Sequence, residues 1–212
     1  MIKYFVRTTL DRTFDYDLEY ELLIDKERKP VDSFIKQLKY ISEYDAVLLE
    51  DDLILCKDFK NKIEEVIEQY PNDIINFFYK PNYYFTTHYD SVFYYNQCTY
   101  YPKGVALAIA NEMEKIRKIM PNAQYDVLES QALSNLGMRH LVYRPCLIQH
   151  LDKDSLIQEY DSKGSRISPF FIDWLDELGI SYDDAHKQEN LRKLREKIKE
   201  LQINNKGDNR SD

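Results

Sequence analysis

The 212-residue chain reads as an α/β sandwich with a substantially parallel sheet, and three observations predict it. Short apolar runs rich in β-forming residues alternate with segments whose apolar positions recur at helical spacing, the pattern of helices packed on a sheet. One run, Ala46 to Leu49, is continuously apolar, as befits a strand buried on both faces. At 212 residues the chain is long enough for one sizeable core and too short for two comfortable domains, and its composition, 43% hydrophobic and 31% charged, is that of an ordinary globular protein. The pattern is Rossmann-like without a Gly-rich phosphate loop: only five glycines occur, and none falls in a G-x-G-x-x-G or P-loop run. Phosphate charge would therefore have to be met by a metal or by Arg and Lys.

Taken in order, Ile2 to Thr8 predicts a first, central strand, followed by the polar turn Thr9-Leu10-Asp11-Arg12. Arg7, Thr8, Thr9 and Arg12 are candidate nucleotide contacts there, although any first strand ends in polar residues. Leu18 to Ile24 predicts a second strand, and a charged loop leads to a helix capped by Asp32 or Ser33, with Phe34, Ile35, Leu38 and Ile41 on one face. After the 46–49 strand, Asp58 is placed to cap a helix that turns Phe59, Ile63, Val66, Ile67 and Tyr70 inward and stops near Pro71. Asp73 to Phe78 supplies the next strand.

Eight of the chain's 18 tyrosines fall between Tyr79 and Tyr101. That density suits either a stacking surface for a sugar or base or a half-buried hairpin. Val105 to Ala110 reads as a short apolar segment after Gly104, and a helix follows with Met113, Ile116 and Met120 on one face. Another helix, after Asp126, carries Leu128, Ala132 and Leu136 and ends at Gly137 as its C′ residue. Asp126 and Glu129 lie one turn apart and can share a face. His140 to Tyr143 and Cys146 to Gln149 predict strand pieces around Pro145, with His150 at the end. Asp154 to Ser168, centred on Lys163-Gly164-Ser165-Arg166, reads as a cationic loop able to cover a diphosphate or as a plain surface connection, with Phe170, Phe171, Ile172 and Trp174 anchoring its far end. Residues 184–203 predict a charged helix with Leu191, Leu194, Ile198 and Leu201 at heptad-like spacing, docking on the domain or on a sister subunit of a homo-oligomer. The organisation expected is one domain over 1–180, an amphipathic helix over 181–203 and a disordered tail over 204–212.

No apolar stretch approaches the roughly 18 to 20 residues needed to cross a bilayer, and the amino terminus lacks a signal peptide's layout, so a cytoplasmic protein is expected. Cys56, Cys98 and Cys146 are scattered without metal-ligand spacing, and their odd number argues against a disulfide framework. The formal charge of −8 disfavours broad nonspecific binding to nucleic acid.

The chemistry concentrates where the 46–49 strand ends in Glu50, Asp51 and Asp52. Adjacent anions at a buried strand end repel one another and are costly to desolvate unless a cation compensates them. Strand alternation would send Glu50 and Asp52 to one side and Asp51 to the other. Hard oxygen ligands at the carboxyl end of a strand suit Mg²⁺ or Mn²⁺ bridging to a diphosphate, and His150 could add an imidazole. A solvated acidic turn is the plainer alternative, as a structural histidine is for His150.

Three stretches in order resemble the small metal-dependent GT-A type glycosyltransferases, especially bacterial and phage members similar to the lipopolysaccharide-type family with a Glu-Asp-Asp motif. Val47 to Asp52 with Cys56-Lys57-Asp58-Phe59 is similar to that family's acidic segment, and Asp126 to Leu133 before Leu136-Gly137 to its acidic helix start. Arg144 to His150, continued by Asp154 to Ile157 and Ser165 to Phe170, is similar to its ending. The likeness covers roughly residues 46 to 173. The chain departs from it at Tyr125-Asp126, where the family often has two acidic residues, and at Cys146, where serine is usual.

The resemblance implies a GT-A-like three-layer α/β/α sandwich with a mixed, mostly parallel central sheet. It implies Mn²⁺ or Mg²⁺ held by Asp52, with Asp51 a second candidate and His150 completing the site. A nucleotide-sugar donor, first of all a UDP-sugar, would meet Glu50, Asp51, Arg7, Thr8, Thr9, Lys163 and Arg166. Asp126 would be the general base toward a glycan or other hydroxyl-bearing acceptor, with Glu129 as substitute, in an inverting displacement. Two rivals remain at this stage: a metal-dependent nuclease or phosphotransferase, and a noncatalytic carbohydrate-binding protein.

Overall fold

In the computed structural model the described residues are 1–79, 86–93, 95–151 and 167–207, with side chains to Leu201. The core-lining alternation of the strands builds a seven-stranded sheet from β1 (Ile2–Thr8), β2 (Glu21–Ile24), β3 (Asp45–Glu50), β5 (Ile74–Asn76), β6 (His88–Asp90), β7 (Cys98–Tyr101) and β8 (His140–Val142), in the order β2-β1-β3-β7-β5-β8-β6. A separate two-stranded sheet pairs β4 (Leu53–Leu55) with β9 (Ile148–His150). Helices α1 (Pro30–Ile41), α2 (Phe59–Gln69), α3 (Val105–Ile119) and α4 (Tyr125–Leu136) flank the sheet, followed by α5 (Ile172–Glu177), a 3₁₀ turn at Tyr182–Asp184 and α6 (Gln188–Gly207).

The sheet is mixed, as expected, but its parallel character is divided. β1 pairs in parallel with β2 and β3, and β5 with β8, whereas β7 runs against both β3 and β5, and β6 runs against β8. Five strands therefore point one way, and their carboxyl ends, at Thr8, Ile24, Glu50, Asn76 and Val142, share one edge. β1 is an interior strand, one from the edge of the sheet.

Both faces of the sheet are covered. On β3, Ala46 and Leu48 face a cluster with Phe34, Leu38 and Ile41 of α1, Ile109 and Met113 of α3, and Leu128 and Leu133 of α4. The alternate residues Val47 and Leu49 face a second cluster with Phe59, Ile63, Val66 and Ile67 of α2. Period-2 side-chain alternation in a doubly buried strand thus produces a helix layer on each side.

Several local expectations are corrected. The first helix starts at Pro30, whose fixed φ suits the first helical position, so neither Asp32 nor Ser33 caps it. Asp32 instead pairs with Arg117 of α3. Asp58 does precede α2, but its carboxylate accepts from the Asn61 side chain rather than a backbone N–H. Val105 to Ala110 is the start of α3 rather than a separate segment, and Met120, beyond the helix end, is exposed. Gly104, at φ +85°, makes the left-handed step into α3 that a side chain would resist. Of the tyrosine-rich stretch, Tyr79, Tyr100 and Tyr101 are buried, so they pack the core rather than form a stacking surface. Tyr83, Tyr84 and Tyr94 lie outside the described residues, as do Lys163 and Arg166.

α6 begins later than expected and runs to Gly207, beyond the expected boundary at 203. It docks on its own chain: Leu194 is fully buried in a small cluster with Phe170, Leu175, Ile180 and Ala185. No helix among the described residues is long and apolar enough to cross a membrane. Leu194→Ala should remove about 2 to 4 kcal/mol from this docking. Hydrogen exchange would then show protection lost across α5 and α6 while the amides of β1 and β3 stay protected.

Candidate metal centre

β3 leaves the core at Glu50, and the chain bends through Asp51 and Asp52 before entering β4. The turn is held from below by Tyr16, whose hydroxyl donates to Glu50 O at 2.7 Å and accepts from Leu53 N at 3.1 Å. Burial, with the nearby Asp52 and Asp51 carboxylates, pushes the Tyr16 phenol above its ordinary range, so it stays a donor. β4 then pairs antiparallel with β9, with Leu53 opposite His150, and Leu151 N donates to Asp52 O at 2.9 Å. This ladder carries His150 across almost a hundred residues of sequence to the acidic turn. Gln149 braces the same strand from the other side: its amide bonds both Ser168 O and Ser168 N, at 2.7 and 2.9 Å.

Glu50, Asp52 and His150 each present a ligand atom, all within 4.8 Å of one another, and His150 Nε2 lies 3.3 Å from Asp52 Oδ2. Two carboxylates and an imidazole could hold a divalent metal ion. The metal-ligand candidates of the sequence are therefore brought together in part. Asp52 and His150 meet, Glu50 joins them, and Asp51 is drawn aside, its Oδ1 3.4 Å from Arg12 Nη1. The other Asp51 oxygen is buried without a hydrogen-bond partner among the described residues.

Two guanidiniums compensate these anions. Arg12 Nη1 lies 2.5 Å from Asp52 Oδ2, so the oxygen nearest His150 is also the one Arg12 holds. Arg12 reaches it from a turn in which Thr8 Oγ accepts from Leu10 N and Thr9 Oγ donates to Asp11. Thr8 and Thr9, expected at a nucleotide, each make one hydrogen bond within that turn. Arg7 is clamped between the rings of Phe34 and Tyr125, 4.7 Å from each centroid, with Nη2 3.8 Å from Glu50 Oε1. It faces Glu50, while its Nη1 is buried with no hydrogen-bond partner among the described residues.

α4 closes the far side. Tyr125 donates to Glu50 Oε1 at 3.1 Å, in place of an acidic side chain. Asp126 follows in the first turn, half-buried, with Oδ1 accepting from Val127 N at 2.8 Å. Glu129 is elsewhere, and the reading of it as a substitute base is corrected. It is fully buried, accepting from Tyr101 Oη at 2.7 Å and from Asn96 Nδ2 at 2.5 Å, where no acceptor hydroxyl can come. Burial pushes its carboxyl up to about 8, against the opposing pull of Tyr101 and Arg7.

Of the residues that shape this centre, Tyr16 carried no signal in the sequence, since it belongs to no periodic pattern or motif, and Gln149 was visible only as the last residue of the strand piece from Cys146. Tyr125 had one available signal, as the position where the chain departs from an acidic pair. No protein-family model, curated protein or solved structure matches the chain.

The buried Glu129 sets a pH dependence. Its folded-state value of about 8 lies above the ordinary glutamate value of 4.5, so between those limits the folded chain holds a proton the unfolded chain has lost. Stability from this group is complete below the lower value and falls as pH rises through the window. Glu129→Gln should therefore flatten the decline in melting temperature between about pH 5 and pH 8, measured against wild type in matched buffers.

Proposed function

We propose that this chain is a metal-dependent glycosyltransferase of the GT-A type, moving a sugar from a nucleotide-sugar donor to an acceptor hydroxyl. The observation that carries the reading is the meeting of Glu50, Asp52 and His150 at the carboxyl edge of the parallel strands, where open α/β sheets place their ligands. The order of the three stretches that resemble that family supports it.

The donor set fits a hard divalent ion, with Asp52, Glu50 and His150 as its protein ligands. When bound, that ion supplies the positive charge that steadies the departing nucleoside diphosphate. Arg7 and Tyr125 hold Glu50 in place. Arg12, now on Asp52, is a cation placed to meet the diphosphate. Asp126, at the start of α4 next to Tyr125, takes the proton from the acceptor hydroxyl at its carboxylate. A single displacement of this kind inverts the anomeric centre.

Electrostatics explains why metal and donor should bind together. Glu50, Asp51 and Asp52 against Arg7 and Arg12 leave one formal negative charge in the cluster. A divalent ion alone makes the cluster cationic, and the diphosphate restores the balance. The test is a thermal-shift panel of UDP, GDP, CMP and their sugar conjugates, with and without Mn²⁺, on wild type and Asp52→Ala. One nucleotide should raise the melting temperature chiefly when metal is present, and Asp52→Ala should abolish the effect while retaining its fold. Equal stabilisation without metal, or donor binding unchanged in Asp52→Ala, would contradict the proposal, and Mg²⁺-dependent hydrolysis of nucleic acid would favour a nuclease.

A further inference from the structure

Arg144 is a third guanidinium at the same edge of the sheet. It lies two residues past the end of β8 and is 3% exposed. Nη1 donates to Tyr79 O at 2.9 Å and approaches Cys146 Sγ at 3.2 Å. The guanidinium carbon lies 5.0 Å from the Tyr79 ring centroid and 5.9 Å from that of Phe170. Nε and Nη2, both buried, have no hydrogen-bond partner among the described residues, and no described carboxylate forms an ion pair with Arg144.

This contrasts with Arg7 and Arg12, each of which faces carboxylates. A guanidinium cannot escape burial by losing its proton. Aromatic faces return less than desolvating a lone charge costs. The two unpartnered groups are also a matched pair. Nε–H and Nη2–H form one edge of the guanidinium, the edge that binds a carboxylate or phosphate through two parallel hydrogen bonds.

We propose that Arg144 anchors an oxyanion subsite, receiving a carboxylate or phosphate group of a substrate on its Nε–Nη2 edge. Three strand steps separate β8 from β3 in the sheet, which places the subsite about 14 Å along the carboxyl edge from the acidic turn. The subsite itself does not depend on the transferase reading. Resting on that reading, its occupant is an acidic group of the acceptor, because the donor diphosphate belongs at Glu50, Asp52 and His150.

The experiment is an NMR titration of the full, metal-free chain, following the Arg144 Nε–Hε resonance, assigned through its own side-chain carbons. Inorganic phosphate and acetate are added separately, each against chloride of equal ionic strength. The resonance should move saturably with at least one anion: phosphate alone identifies a phosphate-bearing ligand, and acetate a carboxylate. Arg144→Met, which removes the charge at similar volume, should weaken anion binding about tenfold or more, read by thermal shift. A resonance unmoved by both anions overturns the proposal, and so does undiminished anion stabilisation in Arg144→Met. If that variant does not fold, the wild-type titration decides alone. Because no metal is present, failure at the acidic turn leaves this result unaffected.

Discussion

The pairing of β4 with β9 is the interaction on which the rest of the site depends. β3 ends at Glu50, and the bend through Asp51 and Asp52 that follows carries two more carboxylates that the hydrophobic core cannot hold without compensation. By placing Leu53 opposite His150, the small ladder sets an imidazole beside Asp52, and the Leu151–Asp52 backbone bond locks the register. Register is exacting here, because a one-residue slip would turn His150 to the other face. Tyr16 fastens the same turn from the β1–β2 connection, and Gln149 ties β9 to Ser168. Elements far apart in sequence therefore converge on a few ångströms of backbone.

Charge is the second constraint. The acidic turn survives burial because Arg12 sits on Asp52 and because Arg7, held between two aromatic rings, faces Glu50. A divalent ion entering between Asp52 and His150 must compete with Arg12 for the same oxygen. On the proposed reading that competition is useful: it discourages metal binding in isolation and leaves Arg12 beside the incoming diphosphate. Arg144, the third arginine at this edge, faces no described carboxylate, and on the proposed reading a ligand supplies its counter-charge.

How much of this was legible in the sequence follows from the range of the interactions. The apolar run at 46–49 and the helical spacing of Phe34, Leu38 and Ile41 or Ile63 and Ile67 reported the layers, since local periodicity encodes which face is buried. Asp52 and His150 were visible as odd polar residues at strand ends. The reversed strand β7 was not visible, because pairing direction is settled by partners distant in sequence. Glu129 was misread for a related reason: helical spacing puts it near Asp126, but only packing against Tyr101 and Asn96 shows that it faces the core. Tyr16 lies in an aperiodic stretch, and its two hydrogen bonds exist only once β3 and β4 are in place.

The central claim is that Glu50, Asp52 and His150 form one cation site. Anomalous diffraction from crystals grown with Mn²⁺ and a nucleoside diphosphate tests it most directly. The account predicts a single strong manganese peak bounded by those three side chains, with Arg12 moved off Asp52 Oδ2. Manganese bound elsewhere, or density at the acidic turn with Arg12 still seated on Asp52 and no ion between it and His150, would contradict the account.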